Sequence, residues 1–296
     1  MIQFINLYLI PALALGSIYA LGAVGISMIF GILRFSHFAH GDVMTLGAYG
    51  TLTAVWWLGW PPLAALPFGV ALAVAAALLA DRMFYRPLRR LPTIYAVIAS
   101  FGVALMIRSL VQLFWGPQNQ VFKAGVRAPL VLFDSLRVAS LHLQAIAITL
   151  ALALALHWFL SRTRTGRSMR AVSDDPDLAS IAGLEPERVI RATWIIGAAL
   201  AATAGVLAGM DTQVHANMGW NLLLAMFASA LLGGIGKPMG AVAGGFLLGL
   251  VEELSTYPWI GSEPLVSPSY KSALAFVIMV LILLFRPQGL MRGRLL

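Results

Sequence analysis

Long apolar runs recur along this chain, and they constrain its fold more than any other feature. A helix that crosses a bilayer needs about 20 mostly apolar residues. Candidate spans lie at residues 5–32, 38–58, 61–81, 93–115, 142–160, 191–210, 220–235, 240–256 and 270–286. In lipid each backbone polar group must be satisfied internally, which leaves a helical bundle as the structure such runs can build. Composition agrees: 60% of the 296 residues are hydrophobic and 11% charged, whereas an ordinary soluble domain is about 25% charged. The expected fold is an all-α, polytopic transmembrane helical bundle of about eight or nine spans, one domain over residues 1–296.

Some runs carry complications. The first holds Pro11 with Gly16, Gly22, Gly25 and Gly31, which predicts a kink or a break. The second opens on polar groups, and the seventh is short. No positive charge precedes the first run, and it continues well past a signal core of roughly 7–15 residues, so it reads as a retained span.

The chain has 20 Lys and Arg against 12 Asp and Glu, a formal charge of +8. In a soluble protein this excess suggests nucleic acid. In a membrane protein it is read by position, because cytoplasmic loops are enriched in basic residues. With nine crossings, one side holds Arg34, Arg82, Arg86, Arg89, Arg90, Arg162, Arg164, Arg167, Arg170, Arg188, Arg191, Lys237, Arg286, Arg292 and Arg294, 15 of the 20. Lys123, Arg127, Arg137 and Lys271 fall on the other. Arg108, near the outer end of its run, reads as a side chain that snorkels outward without a function. The expected orientation is N-terminus outside and C-terminus in the cytoplasm, with an external loop at 116–141, containing Pro117 and Pro129, and a large cytoplasmic loop at 161–190.

Enzyme signatures are missing. There is no cysteine, which removes thiolate metal sites and cysteine nucleophiles. Gly233-Gly234-Ile235-Gly236-Lys237 faintly resembles a phosphate loop, but Pro238 stands where a hydroxyl would hold Mg²⁺. The candidate site is Ser36, His37, His40 and Asp42, in a polar segment between two apolar runs. Ionisable groups within a membrane are costly and are functional candidates by default. From the residues alone the segment is either a half-helix junction lining a translocation path or a plain cytoplasmic turn. His37 and His40, three apart, share a helix face, but two histidines and one aspartate are a thin set for a metal. Asp211, Glu252 and Glu253 end their runs near the outer interface and read as structural.

Small residues repeat at intervals of four: Ala12, Gly16 and Ala20; Ala201, Gly205 and Gly209; Gly236, Gly240 and Gly244; Gly245 and Gly249. Such faces let helices approach closely in lipid, and packing within the chain is the favoured use. In the cytoplasmic loop, Ser173, Asp174 and Asp175 precede Pro176, the order of an N-cap followed by proline in the first turn. The sequence predicts about two helical turns there, closed by Gly183, with Leu178 and Ile181 on the apolar side. A short helix of this kind either docks into a groove on a soluble partner or lies passively on the lipid interface.

At this loop the sequence resembles a known family. Gly166-Arg167-Ser168-Met169-Arg170-Ala171-Val172-Ser173-Asp174-Asp175-Pro176 and Ala179-Ser180-Ile181-Ala182-Gly183-Leu184 are similar to the coupling loop of branched-chain amino acid ABC importer permeases of the LivH type. Leu232 to Gly236 with Gly240 to Gly245, Phe38 to Asp42, and Arg286 to Leu290 match further stretches in register. The resemblance implies a second permease subunit, a paralogue, two cytoplasmic ABC ATPases that bind ATP and Mg²⁺, and an external substrate-binding protein. It implies no cofactor in this chain, no catalytic residues, no nucleic acid partner, and a bacterial-type inner (cytoplasmic) membrane location. It also implies an ATPase-coupling role for Arg167, Arg170, Asp174, Asp175, Pro176, Leu178, Ile181 and Gly183, and favours the docking reading of their helix. Relatives import branched-chain or other amino acids, urea or short amides. Where many carry a lysine before the Gly-rich stretch, this chain has Leu224-Ala225-Met226-Phe227. The rivals are a self-sufficient secondary transporter or channel, and a membrane enzyme acting on lipids, against which the missing nucleophile and metal cluster weigh.

Overall fold

The computed structural model describes residues 4–122, 130–132, 136–259, 264–291 and 293. Lys123, Arg127, Pro129, Arg292 and Arg294 lie outside the described residues. The described residues are mainly helical, with one small antiparallel strand pair. A π-helical turn, Ile5–Leu9, leads into α1 (Ile10–Leu33). There follow α2 (His40–Leu58), α3 (Pro62–Ala80, continued to Leu88 by a π turn and one helical turn) and α4 (Thr93–Trp115). Strands β1 (Leu130–Leu132) and β2 (Leu136–Val138) pair in the 116–141 loop. The remainder is α5 (Ser140–Arg162), α6 (Arg164–Asp174), α7 (Pro176–Ile181), α8 (Pro186–Asp211), α9 (Met218–Gly233), α10 (Pro238–Leu254) and α11 (Lys271–Phe285).

Every candidate span coincides with a helix, but the count of eight or nine crossings does not follow from these dimensions. Among the described residues five helices are long and apolar enough to cross a membrane, or six if α9 and α10, bent by 120° at their junction, count as one broken span. The α2 helix starts on polar residues. The 16 and 17 residues of α9 and α10 span only about 25 Å each, short of a hydrocarbon core of about 30 Å. The first run is continuous over Ile5–Leu33, a correction to the expected break: the missing N–H of Pro11 is met by a π-helical turn, Ile5–Leu9, directly before it and not by an interruption of the helix.

Two helices form the centre. Most of α1 and α8 is buried, whereas α3, α4 and α5 are largely exposed and form the outer rim. The small-residue faces explain the tight centre. Gly245 and Gly249 of α10 lie against the α1 backbone at Ala20 and Gly16, and Gly205 of α8 lies against the α2 backbone at Met44. Without a hydrophobic force between helices in lipid, close backbone approach supplies the dispersion that holds such a bundle.

The two ends differ in charge. At one, Arg89 bridges Asp81 and Glu187 at 2.5 and 2.6 Å, tying the end of α3 to the start of α8, and the α6–α7 arm packs beside them. At the other, His142 meets Asp211 at 3.1 Å and Lys271 pairs with Glu253. Glu252 is not at a solvated interface, contrary to expectation: it is 2% exposed and accepts a 2.7 Å hydrogen bond from the Tyr19 hydroxyl.

Candidate functional site

The polar segment after α1 is a half-helix junction inside the bundle. Arg34 takes a left-handed conformation, φ 57°, which ends α1 and turns the chain back inward. Residues 35–39 then run without helix until α2 begins at His40. His40 Nε2 donates to the Gly22 carbonyl at 3.1 Å, and Gly22 is midway along α1, so α2 starts deep in the bundle. Irregular backbone at such depth must find partners in the protein. It does: the Phe38 N–H donates to Ser100 Oγ at 3.2 Å, and the His40 N–H to the His37 carbonyl at 3.3 Å.

A second interrupted helix meets the first. The segment 212–217 carries buried Val214 and Ala216, and α9 starts at Met218 beside the first turn of α2. The Gly219 N–H donates to Thr45 Oγ1 at 3.0 Å, and the Thr45 hydroxyl donates to the Gly41 carbonyl at 3.1 Å. Gly41 and Gly219 touch backbone to backbone, and a Cβ on Gly41 would lie 2.7 Å from the Gly219 carbonyl carbon. Two helix N-termini, each carrying the partial positive charge of its first turn, therefore converge at one depth.

The predicted path residues divide here. Asp42 is 1% exposed and accepts from Arg108 Nε and Nη2 at 3.0 and 3.1 Å. Arg108 faces the bundle rather than snorkelling outward, with its guanidinium carbon 4.9 Å from the Trp220 ring centre. Burial of Asp42 explains the correction, since a carboxylate deep in a membrane bundle needs a cation. His37 lies in an aromatic nest, 3.0 Å from the Tyr85 hydroxyl and edge-on to Trp194. Ser36 is half-buried beside it and is not brought to the ion pair. His37, His40 and Asp42 do not converge on one point, and no group of three or more His, Cys, Asp or Glu that would suit a metal occurs among the described residues.

The 161–190 loop folds into two short helices instead of the single predicted one. Asp174 ends α6, and Asp175 caps α7, its Oδ1 accepting from the Asp177 and Leu178 N–H groups at 3.0 and 2.9 Å. Pro176 takes the first turn, and Gly183, at φ 81°, closes the helix as the Leu184 N–H reaches back to the Ala179 carbonyl at 3.0 Å. Ala179 is buried, while Leu178 and Ile181 are 63% and 84% exposed. Arg167 and Arg170 are exposed on α6. Ser173 Oγ donates to the Gly31 carbonyl at 3.0 Å, fixing this arm to the last turn of α1, three residues before the turn into the junction.

The comparisons with known proteins agree with this architecture. Residues 8–283 match the family described as the branched-chain amino acid transport system permease component. The chain is 31% identical to the high-affinity branched-chain amino acid transport system permease protein BraD of Pseudomonas aeruginosa, over 96% of this chain and 94% of that protein. It is 33% identical to LivH of Escherichia coli K12, over 94% and 92%. Among solved structures it is similar to a chain of PsaBC from Streptococcus pneumoniae, with a TM-score of 0.54, 13% identity and coverage of 97% and 95%. At that identity the likeness speaks for the fold alone.

Proposed function

The chain belongs to the branched-chain amino acid transport system permease family, and from that premise we propose that it forms half of an ATP-driven pore importing branched-chain amino acids across a bacterial-type cytoplasmic membrane. As an ABC transport permease it supplies the path. ATP and Mg²⁺ belong to two cytoplasmic ATPases, the second half of the pore to a paralogous permease, and first capture of the amino acid to an external binding protein. The arginine-rich end faces the cytoplasm, and the His142–Asp211 end faces outward.

The observation that carries this reading is the α7 tip. A pre-capped helix that presents two aliphatic side chains away from its own core suits a groove on a soluble partner. Arg167 and Arg170 flank it with charge for acids on the groove's rim. The arm is also mechanically placed. Movement of α7 passes through α6 and the Ser173–Gly31 hydrogen bond to the end of α1, and from there through residues 35–39 to the tip of α2. Closure of the ATPases would shift the populations of outward- and inward-open states only insofar as α7 binds them differently in the two.

Affinity purification in mild detergent tests the proposal, followed by uptake measurements in proteoliposomes. We expect two ATPases and a second permease to co-purify, and leucine uptake to require both ATP and the binding protein. Uptake by this chain alone, driven by an ion gradient, would overturn it.

A further inference from the structure

Arg108 is held in a way that leaves half of its binding capacity unused. A guanidinium presents two edges for bidentate carboxylate recognition. Asp42 occupies the Nε–Nη2 edge, Trp220 covers the ring face, and the Nη1 edge makes no hydrogen bond among the described residues. The Arg108 side chain is 16% exposed, on a face that α4 shares with Trp220 of α9. Phe101, Leu105, Arg108 and Gln112 recur at helical spacing along one stripe of α4, with Phe101, Leu105 and Gln112 exposed. Trp220 and Asn221 of α9 stand beside them, also exposed.

This surface differs from the lipid rim. Between residues 147 and 155, α5 exposes only alanine and leucine, as hydrocarbon requires. The α4–α9 surface instead combines a guanidinium with the amides of Gln112 and Asn221, which lipid would leave without partners. We infer, resting on the permease reading above, that it is a water-filled binding surface for a zwitterionic aliphatic amino acid. The free edge of Arg108 takes the substrate carboxylate, Phe101 and Leu105 meet the side chain, and Asp42 acts as a positioning residue that fixes the guanidinium through its other edge. The converging N-termini of α2 and α9 add positive potential where the carboxylate sits.

The absence of native cysteine makes the test direct. In the assembled transporter in proteoliposomes, Leu105→Cys and Asn221→Cys should react with a water-soluble maleimide at least about tenfold faster than Leu154→Cys on α5, which faces hydrocarbon. Equal rates would mean that lipid or the second permease covers the face, and would overturn the inference. The second arm removes the charges together, so that no buried ion is stranded. The Asp42→Asn, Arg108→Gln double variant should retain its ATPases and their ATP hydrolysis while uptake falls by about 10- to 100-fold, the span for losing one charge-assisted hydrogen bond. Wild-type uptake by this variant would reduce the pair to a structural tie. If the double variant sheds its ATPases, Arg108→Lys decides: it keeps an ion pair with Asp42 but lacks a second planar edge, so normal uptake overturns the proposal and lost uptake in an intact complex upholds it. Failure of the permease reading itself would look different, since ATPase binding would be absent from the unmodified protein while the labelling pattern stayed the same.

Discussion

Thr45 shows how much can rest on one small side chain. Its oxygen accepts the Gly219 N–H while its proton goes to the Gly41 carbonyl, so it closes the seam between two interrupted helices. Thr45→Val keeps the shape and strands a buried N–H, at a cost of about 1–3 kcal/mol. The detergent-solubilised protein should melt earlier, and Thr45→Ser should restore the melting temperature; an unchanged melt for Val would mean that Gly219 finds another acceptor. Residues of this kind were beyond sequence reasoning, because Thr45 and Gly219 are brought together only by the fold. Arg108 was more legible than its assignment. It is the one cation within the run 93–115, as Asp42 is the one acid within 38–58. Lone opposite charges in two spans point to each other, since neither is stable in hydrocarbon alone. Its position near a helix end made snorkelling look sufficient.

At the scale of elements, α7 was legible because its signals are local: cap, proline, two turns, glycine. Six residues fold as their neighbours in sequence dictate, and the cap is Asp175, the last of the three polar residues ahead of Pro176. Replacing Leu178 and Ile181 with aspartate leaves the cap and the buried Ala179 contact intact, but it would drive two carboxylates into a desolvated groove at a cost of several kcal/mol. The permease pair should still insert and assemble, because its contacts lie in the bilayer, while the ATPases fail to co-purify and ATP-driven uptake stops. Retained ATPases in that double variant would remove α7 as the coupling element. The half-helix character of α2 and α9 was less legible. An apolar run that begins midway through a bundle has the same composition as one that begins at its surface. The partners that make the break tolerable, such as Ser100 for the Phe38 N–H, come from another helix.

For the whole molecule, hydropathy located every long apolar helix but not which of them cross. Crossing depends on where each helix starts in depth, and tertiary contacts set that. Orientation has a clear expected outcome from the basic asymmetry: Ser173→Cys, on the α6–α7 arm, and Ser267→Cys, ahead of α11, should be labelled by an impermeant reagent from opposite sides of an intact membrane. Labelling of both from outside would refute the assignment of ends. The bare α7 tip also bears on how such a protein is made. On the proposed coupling role, a permease synthesised before its ATPases would carry Leu178 and Ile181 uncovered, as an adhesive end open to chaperones, proteases and other copies. Supply of the ATPases then becomes a form of protection. Cellular levels of this subunit should rise when they are co-expressed, and the Leu178→Asp, Ile181→Asp variant should persist at the same level with or without them.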